Sequence, residues 1–153
     1  MTNLELLGLD GSFLPAELME RLFDEFTEKV PLWSLNFSGF SVSGCLAPLT
    51  RSFCSFPNLL YLSLKNLNMN EHDLRGLLES FRFVPNLVLL DSSGNPLGQT
   101  VTSIVPHVIN LPKLRFLGLN GTGSEEDLNS VRQGLRHSRV TVRTSSPFIL
   151  ISH

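Results

Sequence analysis

Cysteine is scarce in this chain. Among 153 residues there are two, Cys45 and Cys54. They stand nine positions apart on one stretch that reads as helical, and a rise of about 1.5 Å per residue separates them too far for a disulfide. No Cys-x-x-Cys pair occurs, which removes the usual grounds for zinc or thioredoxin-type chemistry. The expectation is two half-buried reduced thiols in a cytosolic protein. An excess of one charge is also lacking. The 12 Lys and Arg stand against 14 Asp and Glu, a net charge of −2, and the basic residues are scattered along the chain. Nothing in that balance favours nucleic acid or an anionic membrane surface as partner. No apolar run is long enough to span a bilayer and no secretory signal opens the chain, so a cytoplasmic location is expected.

Catalytic motifs are missing as well. There is no P-loop, no G-x-G-x-x-G after a strand, no G-x-S-x-G and no His-Glu-x-x-His. The four histidines, His72, His107, His137 and His153, fall at no ligand spacing and read as surface residues. No metal, no cofactor, no small-molecule substrate and no catalysis are therefore expected. Hydrophobic residues nevertheless make up 42% of the chain and charged ones 17%. That composition is globular and can support a packed core.

What the sequence does contain is a repeat. Five segments align: LELLGLDGSFL at 4–14, LWSLNFSGFSV at 32–42, LLYLSLKNLNM at 59–69, LVLLDSSGNPL at 87–97 and LRFLGLNGTGS at 114–124. Their first leucines are Leu4, Leu32, Leu59, Leu87 and Leu114, giving steps of 28, 27, 28 and 27 residues. Each segment follows L-x-x-L-x-L-x-x-(N/C)-x-L with few departures, and such a period marks a solenoid. Within each segment the apolar residues alternate, as in a short strand buried on one face. The spacing predicts strands near 7–9, 35–37, 62–64, 90–92 and 117–119, with Leu62, Leu64, Leu90, Leu117 and Leu119 in the core. A sixth, terminal strand is read at VTVR, 140–143.

Each strand is followed by an amphipathic stretch. In the third unit Leu74, Leu77, Leu78 and Phe81 form an apolar face behind Asn70 as N-cap. In the fourth, Val101, Ile104, Val105 and Val108 do the same, with Pro106 bending the helix or setting its start. In the fifth, Ser124 and Asp127 make a weaker capping box before Leu128, Val131 and Leu135. In the first, Pro15 fits the opening turn and Leu18, Leu22 and Phe26 are read as facing inward, which leaves Met19 and Phe23 exposed on the outer surface.

The chain resembles the leucine-rich-repeat family on these motifs, and its long period resembles the ribonuclease-inhibitor-like class. The resemblance covers residues 3 to about 142. It implies an α/β solenoid with a curved parallel sheet inside and helices outside, about five repeats over 1–143. The last ten residues, 144–153, then read as an apolar tail that caps the open end of the core. Because Leu4 begins a full repeat and solenoids protect their first unit, the chain is expected to be the C-terminal part of a longer protein. Two departures stand out. The ninth motif position is Ser12, Phe40, Leu67, Asn95 and Thr122, so only Asn95 keeps the side chain that ties strand to loop. The hydrophobic sixth position is Ser92 in the fourth unit. Looser turns than in a regular member are expected. The recurrent Gly11, Gly39, Gly94 and Gly121 read as turn residues.

The resemblance also implies which side chains line the concave surface: the third, fifth and seventh motif positions. The third reads Leu6, Ser34, Tyr61, Leu89 and Phe116. The fifth reads Gly8, Asn36, Ser63, Asp91 and Gly118, and the seventh Asp10, Ser38, Lys65, Ser93 and Asn120. An apolar and aromatic stripe thus runs beside small and polar residues, a pattern suited to a protein interface. The candidate binding residues are Tyr61, Leu89 and Phe116, with Lys65, Asp91, Leu6 and Asn36 around them. The function implied is a protein–protein recognition module. Its partner would be another protein or a sister domain, and its parent an innate immune receptor or a ubiquitin-ligase substrate receptor. The alternative is a regulator of a small GTPase, similar to the Ran GTPase-activating protein.

Overall fold

A computed structural model describes residues 3–10, 15–39 and 46–145. Six strands form one all-parallel sheet in sequence order: β1 (Leu6–Asp10), β2 (Ser34–Ser38), β3 (Tyr61–Ser63), β4 (Leu89–Asp91), β5 (Phe116–Gly118) and β6 (Thr141–Arg143). The first five each begin one residue earlier than the alternation alone predicts, and β6 begins one residue later than 140. On the inner side of the pleat Leu35, Phe37, Leu62, Leu64, Leu90, Leu117 and Leu119 are all buried, the last five completely. The chain leaves β2, β3, β4 and β5 through a left-handed residue at the eighth motif position. Gly39, Gly94 and Gly121 have φ of 80°, 73° and 68°, and Asn66 has 54°. Glycine meets no Cβ penalty there, and asparagine is among the few other residues that visit this region. A Cβ built on Gly94 would lie 1.8 Å from Asn66 Oδ1.

The ninth position then decides how each turn is held. Asn95 is fully buried. Its Oδ1 accepts from the amides of Leu67 (2.9 Å) and Met69 (3.2 Å), and its Nδ2 donates to the carbonyls of Leu64 and Ser92, both at 2.8 Å. One side chain therefore stitches the turns of two units together. Leu67 fills the same position in the unit before by burial alone, and the Thr122 hydroxyl donates to the Leu119 carbonyl at 2.8 Å. The strand register is unbroken across all six strands. Ser12 and Phe40 lie outside the described residues.

Outside the sheet lie α1 (Ala16–Asp24), α2 (Ala47–Ser52), α3 (Glu71–Ser80), α4 (Val105–Val108) and α5 (Glu125–Gly134). Helix α3 opens on a complete capping box: Asn70 accepts from the Asp73 amide at 2.9 Å and Asp73 from the Asn70 amide at 3.1 Å. Helix α5 does likewise with Ser124 and Asp127. The apolar faces predicted for the third and fifth units are buried. In the fourth unit a 3-10 stretch, Gly98–Ile104, replaces most of the helix and α4 is a single turn. Four β-branched residues in that stretch, and Thr100 and Ser103 hydroxyls bonded back to carbonyls three residues earlier, weaken the regular α pattern there. Pro106 sits in the first turn of α4, where its missing N–H costs nothing.

Helix α1 corrects the sequence reading. Met19 and Phe23 are each 2% exposed, whereas Leu18 is 47% exposed and Leu22 only half-buried. The buried stripe is Met19, Phe23 and Phe26, an i, i+4, i+7 series, not an i, i+4, i+8 one that drifts off the face. Phe37 packs edge-on against Phe23 at 5.7 Å and Phe56 against Phe26 at 5.0 Å, which fixes that rotation. Cys54 is exposed rather than half-buried, because Phe53, Ser55 and Phe56 take the inward positions of its turn. Cys45 lies outside the described residues, as do His153 and all but Thr144 and Ser145 of the apolar tail. His72 and His137 are exposed and His107 half-buried, all on the outer, helical side.

Candidate protein-binding face

The parallel register carries one residue of each unit into a row across the sheet. Leu6 stands beside Ser34, Ser34 beside Tyr61, Tyr61 beside Leu89, Leu89 beside Phe116, and Phe116 beside Thr141. Adjacent members are about 4.8 Å apart, the spacing of paired strands. All point away from the core, because the residue that follows each in its strand, from Leu7 and Leu35 through Leu62, Leu90 and Leu117 to Val142, packs into it or against it. Leu6 is 56% exposed and Phe116 36%; Tyr61 is half-buried. Leu89, between the two aromatic residues, is 6% exposed. The sequence reading treated it as an open contact. Its flanking neighbours are large enough to cover it, so it fills the floor of the row.

The second column in register is Gly8, Asn36, Ser63, Asp91, Gly118 and Arg143. Polar side chains there are largely tied to one another. Ser38 Oγ donates to Asn36 Oδ1 at 2.6 Å, lies 3.0 Å from Ser63 Oγ and accepts from the Lys65 amide at 3.3 Å. Asp91 Oδ1 accepts from the Ser93 amide at 3.1 Å. Between the columns lies a shallow depression of about 150 Å³, lined by Ser34, Asn36, Tyr61, Ser63, Lys65, Leu89 and Asp91. Five of the seven predicted residues thus come together. Leu6 lies two strands from Tyr61 at one end of the row, and Phe116 continues it past Leu89. Trp33 was missed. It occupies the second motif position, outside the stripe, yet is 37% exposed and meets Tyr61 edge-on at 5.8 Å. Its being the only tryptophan, two residues before Leu35, was the available signal.

Repeating strand–turn–helix units, one parallel sheet in chain order and an asparagine-tied turn define a leucine-rich-repeat-like solenoid. The tropomodulin C-terminal domain of Caenorhabditis elegans has a similar structure, with a TM-score of 0.70 and 17% sequence identity over 88% of this chain and 84% of that one. No protein-family model and no curated protein sequence matches the chain. The likeness is one of fold. No helix among the described residues is long and apolar enough to cross a membrane.

Proposed function

We propose that this chain is a protein–protein recognition module that binds its partner on the concave face of the sheet. The observation that carries the reading is the row Leu6–Ser34–Tyr61–Leu89–Phe116, apolar and aromatic in four of five places, presented in register beside small and polar residues. Side chains that project from a packed sheet yet are aromatic have no role in the core. Burying them against a partner gives association its hydrophobic driving force. Tyr61 and Phe116 are the anchors, Leu89 the floor between them, Leu6 and Trp33 the extension at one end, and Asn36, Lys65 and Asp91 the polar groups that set orientation. The long period and the ten-residue helices α3 and α5 support the ribonuclease-inhibitor-like class. On the resemblance to that class, the chain serves as the recognition part of a larger cytosolic protein, of the innate immune receptor or ubiquitin-ligase substrate receptor type.

The test is a double substitution, Tyr61→Ala with Phe116→Ala, carried through quantitative affinity capture from cell extract. A specific partner of the wild-type chain is expected to be lost, since truncating one aromatic anchor often costs about 2 kcal/mol, roughly thirtyfold in affinity. The fold should survive, because neither residue belongs to the central apolar cluster. Retention of every specific partner would move the interface to the outer helices.

A further inference from the structure

Asp91 sits at the floor of the concave depression and is 3% exposed. A carboxylate so far withdrawn from water needs compensation. Among the described residues its carboxylate accepts one hydrogen bond, from the Ser93 amide, and takes part in no ion pair. Lys65 lines the same depression and is not paired with it. The two charges differ in circumstance. Lys65 is half-exposed on a long flexible arm and keeps its hydration. Asp91 cannot withdraw. Tyr61 stands one strand over and two residues back on the same face, because Ser63 is the register partner of Asp91.

We infer that the depression receives an arginine side chain of the protein partner, its guanidinium on the Asp91 carboxylate and against the Tyr61 ring. This rests on the concave face being the binding surface, and it names what that surface reads. A planar guanidinium matches a carboxylate with two donors at once and stacks on aromatic faces, which an ammonium does not do. The Ser63 hydroxyl beside Asp91 offers a further acceptor for the remaining donors.

The test uses the isotopically labelled chain and three short peptides, Ac-Leu-Arg-Leu-amide, its citrulline counterpart and Ac-Leu-Glu-Leu-amide. Citrulline keeps the shape and loses the charge. The arginine peptide is expected to shift the amide resonances of Ser63, Asp91 and Ser93 and to bind roughly tenfold more tightly than the citrulline peptide. Asp91→Asn keeps the oxygen that accepts from Ser93, so the turn is preserved while the charge goes. In that variant the arginine advantage should vanish with the melting temperature unchanged. Equal binding of arginine and citrulline by the wild-type chain overturns the inference, with no variant needed. So does preferential binding of the glutamate peptide, or an Asp91→Asn chain that still prefers arginine. Those results leave the concave face standing if Tyr61→Ala with Phe116→Ala still abolishes partner capture. Capture that ignores the double substitution removes the face itself.

Discussion

Leu90 and Ser92 lie two residues apart, both buried on the inner side of the sheet, and they predict opposite outcomes. Leu90 is fully buried in the core, so Leu90→Ala should lower stability by about 2–5 kcal/mol, read from denaturant midpoints. Ser92 is equally buried, and its hydroxyl has no hydrogen-bond partner among the described residues. Its backbone does the work of the turn, the amide donating to Gly118 and the carbonyl accepting from Asn95. Ser92→Ala removes an unpartnered polar atom and should be neutral or stabilising by about 1 kcal/mol. A clear loss of stability would show that the hydroxyl is bonded in solution. At this scale the sequence was partly legible. Asn95 announced its role, since no other residue type at that motif position offers two donors and two acceptors. Leu89 did not, because its cover depends on which side chains stand beside it in neighbouring strands, a matter of register and size that one strand does not reveal.

At the scale of the element, the strands were readable and the first helix was misread. Strand faces follow from a period of two, and five in-phase copies leave no ambiguity. The helix face of the first unit had two candidate stripes, Leu18–Leu22 and Met19–Phe23. Only packing against Phe37 and Phe56, from the second unit, selects the second stripe. The fourth unit was read as one helix because its apolar spacing is helical. Its β-branched and hydroxyl residues instead settle as a 3-10 stretch before the single turn of α4, with Val101, Ile104 and Val108 buried and Val105 partly so. Helix α3 is the element where a local signal was both visible and sufficient. Asn70→Ala removes the acceptor for the Asp73 amide and should cost about 1 kcal/mol. The loss should appear in thermal melts, with faster amide exchange in the first turn of α3. An unchanged melt would mean that the contact of Asp73 with the Leu46 amide, at 3.4 Å, holds that turn without the cap.

Across the whole molecule, every unit meets chiefly the one before and the one after, so a property repeated in each unit becomes a column running the length of the solenoid. The concave row is one such column, and the left-handed turn residues Gly39, Asn66, Gly94 and Gly121 are another. In that second column positions 66 and 94 are not independent. The Asn66 side chain occupies the space a methyl group at 94 would need. Gly94→Ala should therefore cost about 1–3 kcal/mol from backbone strain and collision together. Asn66→Gly in the same chain should recover the collision and leave the strain, and strictly additive effects in a double-mutant cycle would refute the coupling. The consequence reaches into the chain's history and its future. A lineage that carries asparagine at 66 raises the cost of any side chain at 94, and a change at 66 lowers that cost while the left-handed backbone keeps its own. What a substitution in this turn costs depends on what its neighbour already is.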